Sequence, residues 1–224
     1  MKADFFASLE RAVDFYVIRH GQSEGNAAGI LQGRGEYSLS EKGRAQAAAR
    51  GRGLKAKLAD AVNSGRALLF SSPLGRARIT SEIIAETAGF PAPVFIEDLR
   101  EMELGLWSGK RWEEARMEDA ALWDRFMAHS WDAVPGAEPS AGLYGRALRA
   151  WAALRDAAVQ CRAEKVIAVS HGGLIQWLLK TTFGCRRWFP LFPTANCGLS
   201  ILRVEPAGEG VCTQWNVLNE RVEV

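Results

Sequence analysis

The sequence predicts an α/β fold: a three-layer α/β/α sandwich with a mostly parallel sheet and a small helical lid insertion. Three short apolar runs support this prediction, at residues 15–18, 67–70 and 166–169. They are rich in aliphatic and aromatic side chains and stop at small or polar residues, which is typical of buried parallel strands. In open α/β sheets, ligands bind outside the carboxyl ends of such strands, so we expect the functional site there.

Helix-like stretches and loops alternate with these strands. A glycine-rich loop is predicted over residues 30–37, at the mouth of the site. Ser40 is a suitable N-cap for a helix whose alanine-rich part covers residues 45–58, although Gly51 and Gly53 interrupt it. The later elements are a helix at 76–88 that ends at Gly89, a short strand at 94–96, a helix at 143–161, a helix from Gly172 to Lys180, and two edge strands at 198–204 and 211–217.

Residues 105–145 depart from this alternation of strands and helices. They hold four of the eight tryptophans of the chain, mixed with charged residues. We interpret them as a helical lid inserted into a single domain that spans residues 1–224. The tryptophans have two open interpretations: they staple the lid to the sheet, or one or two of them line a substrate pocket. They are Trp107, Trp112, Trp123 and Trp131.

Composition excludes several classes of partner. A chain of 224 residues with 48% hydrophobic residues suits one globular domain with a substantial core. The net charge is only +2 and the basic residues are dispersed, so we expect no nucleic-acid partner. No apolar stretch approaches the roughly 20 residues that span a membrane, and the first residues lack a continuous apolar segment. We therefore expect a cytoplasmic protein without a membrane contact.

The four cysteines follow no metal-binding spacing. Cys161, Cys185, Cys197 and Cys212 form no C-x-x-C pair, and histidines are few. We expect reduced cysteines that pack in the core of a cytosolic protein, with no zinc site.

Two of the three histidines occupy the same local context. His20 and His171 each follow an apolar run and precede a glycine. Arg19 precedes the first histidine, and Arg76 follows the strand at 67–70. Because parallel strands end at one edge of a sheet, these four side chains should meet there, and the arginine fork matches phosphate oxygens. The sequence thus predicts an anion site.

Five segments in this order resemble the signature of the histidine phosphatase superfamily, the phosphoglycerate mutase-like proteins. The likeness covers roughly residues 13–204. The segments are Arg19-His20-Gly21 with Ser23 and Asn26 behind it, residues 39–47 (LSEKGRAQA), 71–77 (SSPLGRA), 99–107 (LREMELGLW) and 169–173 (VSHGG), with Asn196 in the position of a late asparagine.

This resemblance implies a phosphomonoesterase that acts on a small phosphorylated metabolite without a cofactor or a metal. His20 would be the nucleophile and form a phosphohistidine, with its second ring nitrogen donating to a backbone carbonyl. Nearby cationic groups would lower the pKa of His20. Glu101 matches the proton donor of the family. The oxygens of the phosphate would be held by Arg19, Arg76 and His171, and further substrate contacts would come from Asn26, Ser23 and Gly172.

Several points stay open at this stage. Glu103 lies two residues beyond Glu101 and would point to the same side of an extended segment, so it is a second candidate for the proton donor. Ser108 stands where phosphatases of the family often carry a glutamate. A phosphoglycerate mutase-type transfer and a catalytically silent phosphate-binding module are the alternative functions. The substrate and the oligomeric state are not specified by the sequence, a homodimer being one option.

Overall fold

The computed structural model describes residues 5–188, 192–208 and 210–224. Its centre is a six-stranded sheet in the order β3-β2-β4-β1-β5-β6. The strands are β1 (Val13–Arg19), β2 (Ala67–Ser71), β3 (Val94–Phe95), β4 (Lys165–Ser170), β5 (Leu199–Ala207) and β6 (Gly210–Glu220).

Four strands of this sheet are parallel, as predicted. β1 pairs with β4, β4 with β2, and β2 with β3, all in parallel, whereas β5 and β6 are antiparallel additions at one edge. Since β1, β2 and β4 are neighbours and run the same way, their carboxyl ends lie side by side. This edge of the sheet receives the residues that follow Arg19, Ser71 and Ser170.

Helices cover both faces of the sheet, which confirms the three-layer prediction. Along β1, Phe15 and Val17 pack in one cluster with the helices at 140–160 and 172–182, and Tyr16 and Ile18 pack in another with the helices at 41–63 and 75–88. This alternation follows from the two-residue period of a strand. The helices are α1 (Glu24–Ala27), α2 (Glu41–Asn63), α3 (Gly75–Ala88), α4 (Trp112–Glu118), α5 (Ala120–His129), α6 (Ser140–Gln160) and α7 (Gly172–Thr182).

Helix α2 begins at the predicted cap and continues through both glycines. The Ser40 Oγ accepts a hydrogen bond from the Gly43 N–H at 3.1 Å. Gly51 does not break the helix because it sits at the contact with α3, where a Cβ atom would lie 2.7 Å from the Thr87 Cβ. A glycine therefore permits the close approach of the two helices, at a cost in helix propensity of about 1 kcal/mol relative to alanine.

The region between β3 and α6 is largely helical, but the insertion ends earlier than the expected residue 145. Helix α6 begins at Ser140, so residues 140–145 belong to the helix against the sheet and not to the insertion. Within the insertion the ring centroid of Trp107 lies 4.8–6.3 Å from those of Trp112, Trp123, Trp131 and Phe126. These aromatic contacts hold α4 and α5 together and anchor them on the buried Trp107.

The cysteine prediction holds only in part. All four cysteines are free thiols, but only Cys197 is buried, whereas Cys161 and Cys212 are exposed. Packing therefore explains Cys197 alone.

Within the described ranges, none of the helices combines the length and the apolar character that crossing a membrane requires.

Candidate active site

His20 lies at the end of β1 and is almost fully buried. Its Nδ1 lies 2.7 Å from the carbonyl oxygen of Gly21. Because a carbonyl only accepts, Nδ1 carries the hydrogen of the neutral ring and Nε2 keeps its lone pair. The Nε of Arg76 donates to this Nε2 at 3.2 Å. The imidazole is therefore fixed as the tautomer whose free nitrogen points at an arginine.

The backbone around His20 is held by close contacts with α2 and α3. The Gly21 N–H donates to the Thr80 Oγ1 at 3.0 Å. A Cβ atom on Gly21 would lie 2.4 Å from the Gly43 carbonyl oxygen, and one on Gly43 would lie 2.0 Å from the Gln22 carbonyl oxygen. Both glycines are thus required for the start of α2 to pack against the loop after His20. This contact joins the Arg19-His20-Gly21 segment to the segment at residues 39–47.

Arg76 is buried in the first turn of α3 and links His20 to the glycine-rich loop. Its Nη1 donates to the Gly35 carbonyl and its Nη2 to the Gly33 carbonyl, both at 2.7 Å. The loop predicted at the mouth of the site therefore fixes the guanidinium in place. A positioned arginine of this kind can bind anionic oxygens without further reorganisation.

Arg19 approaches His20 from the other side. Its Nη1 donates to the Thr194 carbonyl at 2.6 Å, whereas its Nε is buried and has no partner among the described residues. Buried donors are normally hydrogen-bonded, so an unpaired guanidinium nitrogen in a cavity indicates a place for an anion.

His171 lies beneath the site rather than on its surface. Its ring centroid is 5.1 Å from that of His20, and its Nε2 hydrogen-bonds with the Ser72 Oγ at 2.8 Å. Its Nδ1 is buried and unpaired within the described part of the chain. His171 is fully buried and does not line the cavity, whereas the following Gly172 does.

The Glu101 carboxylate is bound by backbone N–H groups at the start of α7. Its Oε1 accepts from Met102 and Leu174, at 2.9 and 3.1 Å, and its Oε2 accepts from Gly173 at 3.1 Å. A Cβ atom on Gly173 would lie 2.6 Å from Oε1, so the second glycine of the H-G-G segment is needed for this contact. The carboxylate lines the cavity that contains His20.

The Glu103 carboxylate, unlike that of Glu101, is hydrogen-bonded within its own turn. Its Oε1 accepts from the Leu104 N–H at 3.0 Å and from the Ser108 Oγ at 2.8 Å. It does not line the cavity. Glu103 therefore stabilises the turn that precedes Trp107, with Ser108 as its partner, and of the two carboxylates Glu101 is the one that lines the cavity.

Two arginines that the sequence analysis did not single out hold the backbone around Glu101. Arg34 donates through Nε to the Glu101 carbonyl at 3.1 Å, and Arg146 donates through Nη1 to the Arg100 carbonyl at 2.6 Å. Glu138 joins the two arginines, at 2.9 and 2.7 Å. No local pattern signals this network, because its members lie on three segments that only the fold brings together.

The expected substrate contact of Ser23 is corrected. Ser23 is fully buried outside the cavity, and its Oγ accepts from the Asn26 N–H at 3.1 Å and donates to the Gln32 Oε1 at 2.8 Å. It caps α1 and so positions Asn26, which does line the cavity. The Asn26 Oδ1 accepts from Ser23 and from Asn196, so its Nδ2 is the amide group left to donate to a ligand.

The cavity above His20 has a volume of about 540 Å³. Trp112 and Trp131 form part of its wall, so the tryptophans of the insertion both hold the helices together and line the pocket. Among the residues that the structure describes, no group of three or more histidine, cysteine or acidic side chains is arranged to hold a metal ion. The polar lining residues are Arg19, His20, Asn26, Gln32, Arg76, Glu101, Gln176 and Thr194.

Burial is the main cause of the shifted pKa values of the two imidazoles. It lowers the pKa of His20 well below 6.5, and the charges of Arg19 and Arg76 lower it further. The pKa of His171 is lowered by burial first and then by Arg76, His20 and Arg19. The expectation that cations lower the pKa of His20 is thus correct in direction, but desolvation is the larger cause.

These shifts predict that stability decreases in mild acid. Since the unfolded chain protonates both imidazoles near pH 6.5 and the folded chain only at lower pH, unfolding takes up protons below that pH. The free energy of unfolding should fall as the pH drops from about 6.5, by at most about 1.4 kcal/mol per pH unit for each imidazole. Urea unfolding at several pH values measures the slope. It should be smaller in His171→Asn, and an unchanged slope in that variant would contradict the prediction.

The comparisons with known proteins agree with this geometry. The chain is 33% identical over 168 residues to a metal-independent phosphoserine phosphatase of Arabidopsis thaliana, covering 73% of this chain and 66% of that protein. It is 30% identical over 188 residues to a protein named probable phosphoglycerate mutase GpmB of Salmonella paratyphi C, covering 83% and 82%. It spans between 40% and 66% of the length of the plant phosphatases that it matches.

Solved structures share the whole fold. A mycobacterial glucosyl-3-phosphoglycerate phosphatase in complex with VO3 superposes with a TM-score of 0.76 and 25% identity, covering 93% of this chain and 99% of that one. The family model of the histidine phosphatase superfamily (branch 1) matches residues 15–218. That match contains every segment from His20 to His171, and the chain belongs to the histidine phosphatase superfamily.

Proposed function

We propose that this chain is a phosphomonoesterase that hydrolyses a small phosphorylated metabolite through a phosphohistidine on His20, without a metal ion or cofactor. The observation that carries the proposal is the fixed His20 tautomer, whose unprotonated Nε2 faces Arg76 in a cavity that also exposes Arg19. We further propose that residues 1–224 form one domain and that the helices α4 and α5 act as its lid.

In the first step, Nε2 of His20 attacks the phosphorus as the bond from phosphorus to the ester oxygen breaks. The three non-bridging oxygens gain charge and lie against Arg19, Arg76 and the Asn26 amide, which stabilise them electrostatically. The proton on Nδ1 stays in its bond to the Gly21 carbonyl, which supports the positive charge of the phosphorylated ring.

Glu101 supplies the proton for the leaving oxygen. A carboxyl group has about four acceptor positions, and here three of them receive N–H bonds, two on Oε1 and one on Oε2. One position on Oε2 is left, so we propose that this oxygen carries the proton and transfers it to the alkoxide.

In the second step, water attacks the phosphohistidine. The Glu101 carboxylate takes a proton from that water, the bond from Nε2 to phosphorus breaks, and inorganic phosphate leaves. Neutral His20 and protonated Glu101 are restored, so the cycle needs no other reactant. We propose that His171 supports both steps from beneath His20, by packing against the nucleophile's ring while its own ring is held by Ser72.

Hydrolysis fits this cavity better than the two alternatives. A phosphoglycerate mutase has to hold a second anionic group, but the cations among the described lining residues are Arg19 and Arg76, both beside His20. A silent binding module is expected to lack one of the reacting groups, whereas the nucleophile, the acid and both arginines are present and positioned.

We expect phosphate release from p-nitrophenyl phosphate to continue in excess EDTA, since arginines supply the positive charge that a metal would otherwise provide. Vanadate should inhibit competitively, because it adopts the five-coordinate geometry of the transition state beside Nε2. Steady-state assays with and without the chelator measure the first effect, and assays at several vanadate and substrate concentrations in the absence of EDTA measure the second. Activity that EDTA removes and magnesium restores would point to another mechanism.

A further inference from the structure

The part of the cavity beyond Arg19, His20 and Arg76 is lined mainly by apolar side chains. Its walls come from the insertion, from the loop after α1 and from the segment after α7. Burial of apolar substrate surface against such walls is favourable, by roughly 25 cal/mol per Å² of area removed from water. The main apolar contributors are Leu31, Met102, Leu104, Trp112, Trp131 and Phe192.

The charged side chains of the described lining are confined to the reaction centre. They are Arg19, Arg76 and Glu101, and the first two adjoin His20. The remaining polar groups are neutral and partly occupied: Gln176 Nε2 donates to the Phe192 carbonyl at 2.6 Å, and Gln32 Oε1 accepts from Ser23.

Four of the cations near these walls make their contacts outside the cavity. Arg34 pairs with Glu138, Lys110 pairs with Glu118, and Arg111 donates to the Ala28 carbonyl. Lys180 lies behind Trp188, 5.1 Å from its ring centroid, and donates to the Arg187 carbonyl. None of these cations lines the cavity.

We propose that the phosphate ester this site prefers carries an apolar or aromatic group and no second anionic group. A carboxylate against the tryptophan wall would lose water without gaining a counterion, which is a costly form of burial. The inference rests on the proposed phosphatase function, whose substrate class it names. It separates this chain from its phosphoserine phosphatase relative, because phosphoserine carries a carboxylate close to the ester oxygen.

The test compares two esters with similar leaving groups. n-Hexyl phosphate and 6-(phosphonooxy)hexanoate have six-carbon chains that differ at the far end, where one has a methyl group and the other a carboxylate. We expect kcat/KM to be at least about tenfold higher for n-hexyl phosphate. Equal values, or a preference for the carboxylate, would overturn the inference.

Two matched variants locate the preference in the cavity. Phe192→Arg places a cation in the wall and should reduce the preference several-fold by improving the carboxylate substrate. Phe183→Arg makes the same exchange at a side chain that is 69% exposed and outside the cavity, and should keep the wild-type ratio. A ratio that Phe192→Arg does not change would count against the inference.

Binding to the His20→Ala variant separates the inference from the function on which it rests. Calorimetry gives the Kd of both esters without turnover, and n-hexyl phosphate should again bind more tightly. If the wild-type chain hydrolyses neither ester but the binding preference is present, the proposed hydrolysis fails and the preference stands. Equal Kd values would overturn the preference itself.

Discussion

The His20→Ala variant should lose turnover by on the order of 10⁴-fold or more, because removal of a nucleophile removes the covalent route altogether. It should also lose the covalent label. Rapid mixing of wild-type protein with a ³²P-labelled ester, followed by a quench without acid, should trap phosphate on His20. The label should be stable in alkali and lost in acid, as expected of a phosphoramidate.

The other histidines serve as controls for this experiment. His129 is the exposed third histidine, in α5, and His129→Ala should keep both label and turnover. His171→Asn should still form the label, but more slowly, because it loses the ring that packs against His20 and not the attacking nitrogen. Label that persists in His20→Ala would refute the assignment of His20 as the nucleophile. Label that is absent only in His171→Asn would assign the nucleophile to His171 instead.

The parts of the fold that the sequence predicts well are those with a local signal. β1, β2 and β4 each contain an apolar run of four residues. Ser40 is a cap within one turn of its partner Gly43, and Gly89 ends α3 in the left-handed conformation with φ of 84°. Each of these signals acts over a few residues. Local chemistry is enough to place the ends of the strands, and the ends of the strands place the candidate site.

The parts that the sequence does not predict depend on contacts between distant segments. The sequence of α2 taken alone marks Gly51 as a helix breaker, and only its contact with Thr87 of α3 explains why a glycine stands there. Ser23 lies in the segment that follows His20, yet its hydroxyl is used by Asn26 and Gln32 within the protein. A motif specifies which residues occur together, but it does not separate those that face the ligand from those that hold them.

The choice between Glu101 and Glu103 as the proton donor also depends on contacts between distant segments. Glu101 and Glu103 lie two residues apart in an extended segment, and the sequence leaves both open. The N–H groups of Gly173 and Leu174 come from α7, more than seventy residues away, and bind only Glu101. Glu103 is bound by its own turn instead. The distinction between the two carboxylates is therefore a property of the tertiary structure, and it can be tested directly.

The Glu101→Gln variant should lose about 10²–10⁴-fold in kcat/KM on alkyl phosphates while keeping much of its kcat/KM on p-nitrophenyl phosphate, since kcat/KM reports the step in which the ester oxygen leaves. An alkoxide needs a proton as it leaves, whereas a nitrophenolate is stable without one. Glutamine retains the size and the acceptor oxygen of the side chain, so the backbone N–H groups of α7 are only partly disturbed. Parallel kcat/KM measurements on the two ester classes give the selective loss, because hydrolysis of the phosphohistidine is common to both classes and does not enter kcat/KM.

Glu103→Gln is the matched control, since it makes the same chemical change two residues away and outside the cavity. It should cause small and similar losses on both ester classes, through a weaker turn before Trp107. A selective loss in Glu103→Gln would move the acid to that residue. Equal losses on both classes in Glu101→Gln would mean that Glu101 positions the phosphate or the water, because a group that protonates the leaving oxygen must matter most where that oxygen is most basic.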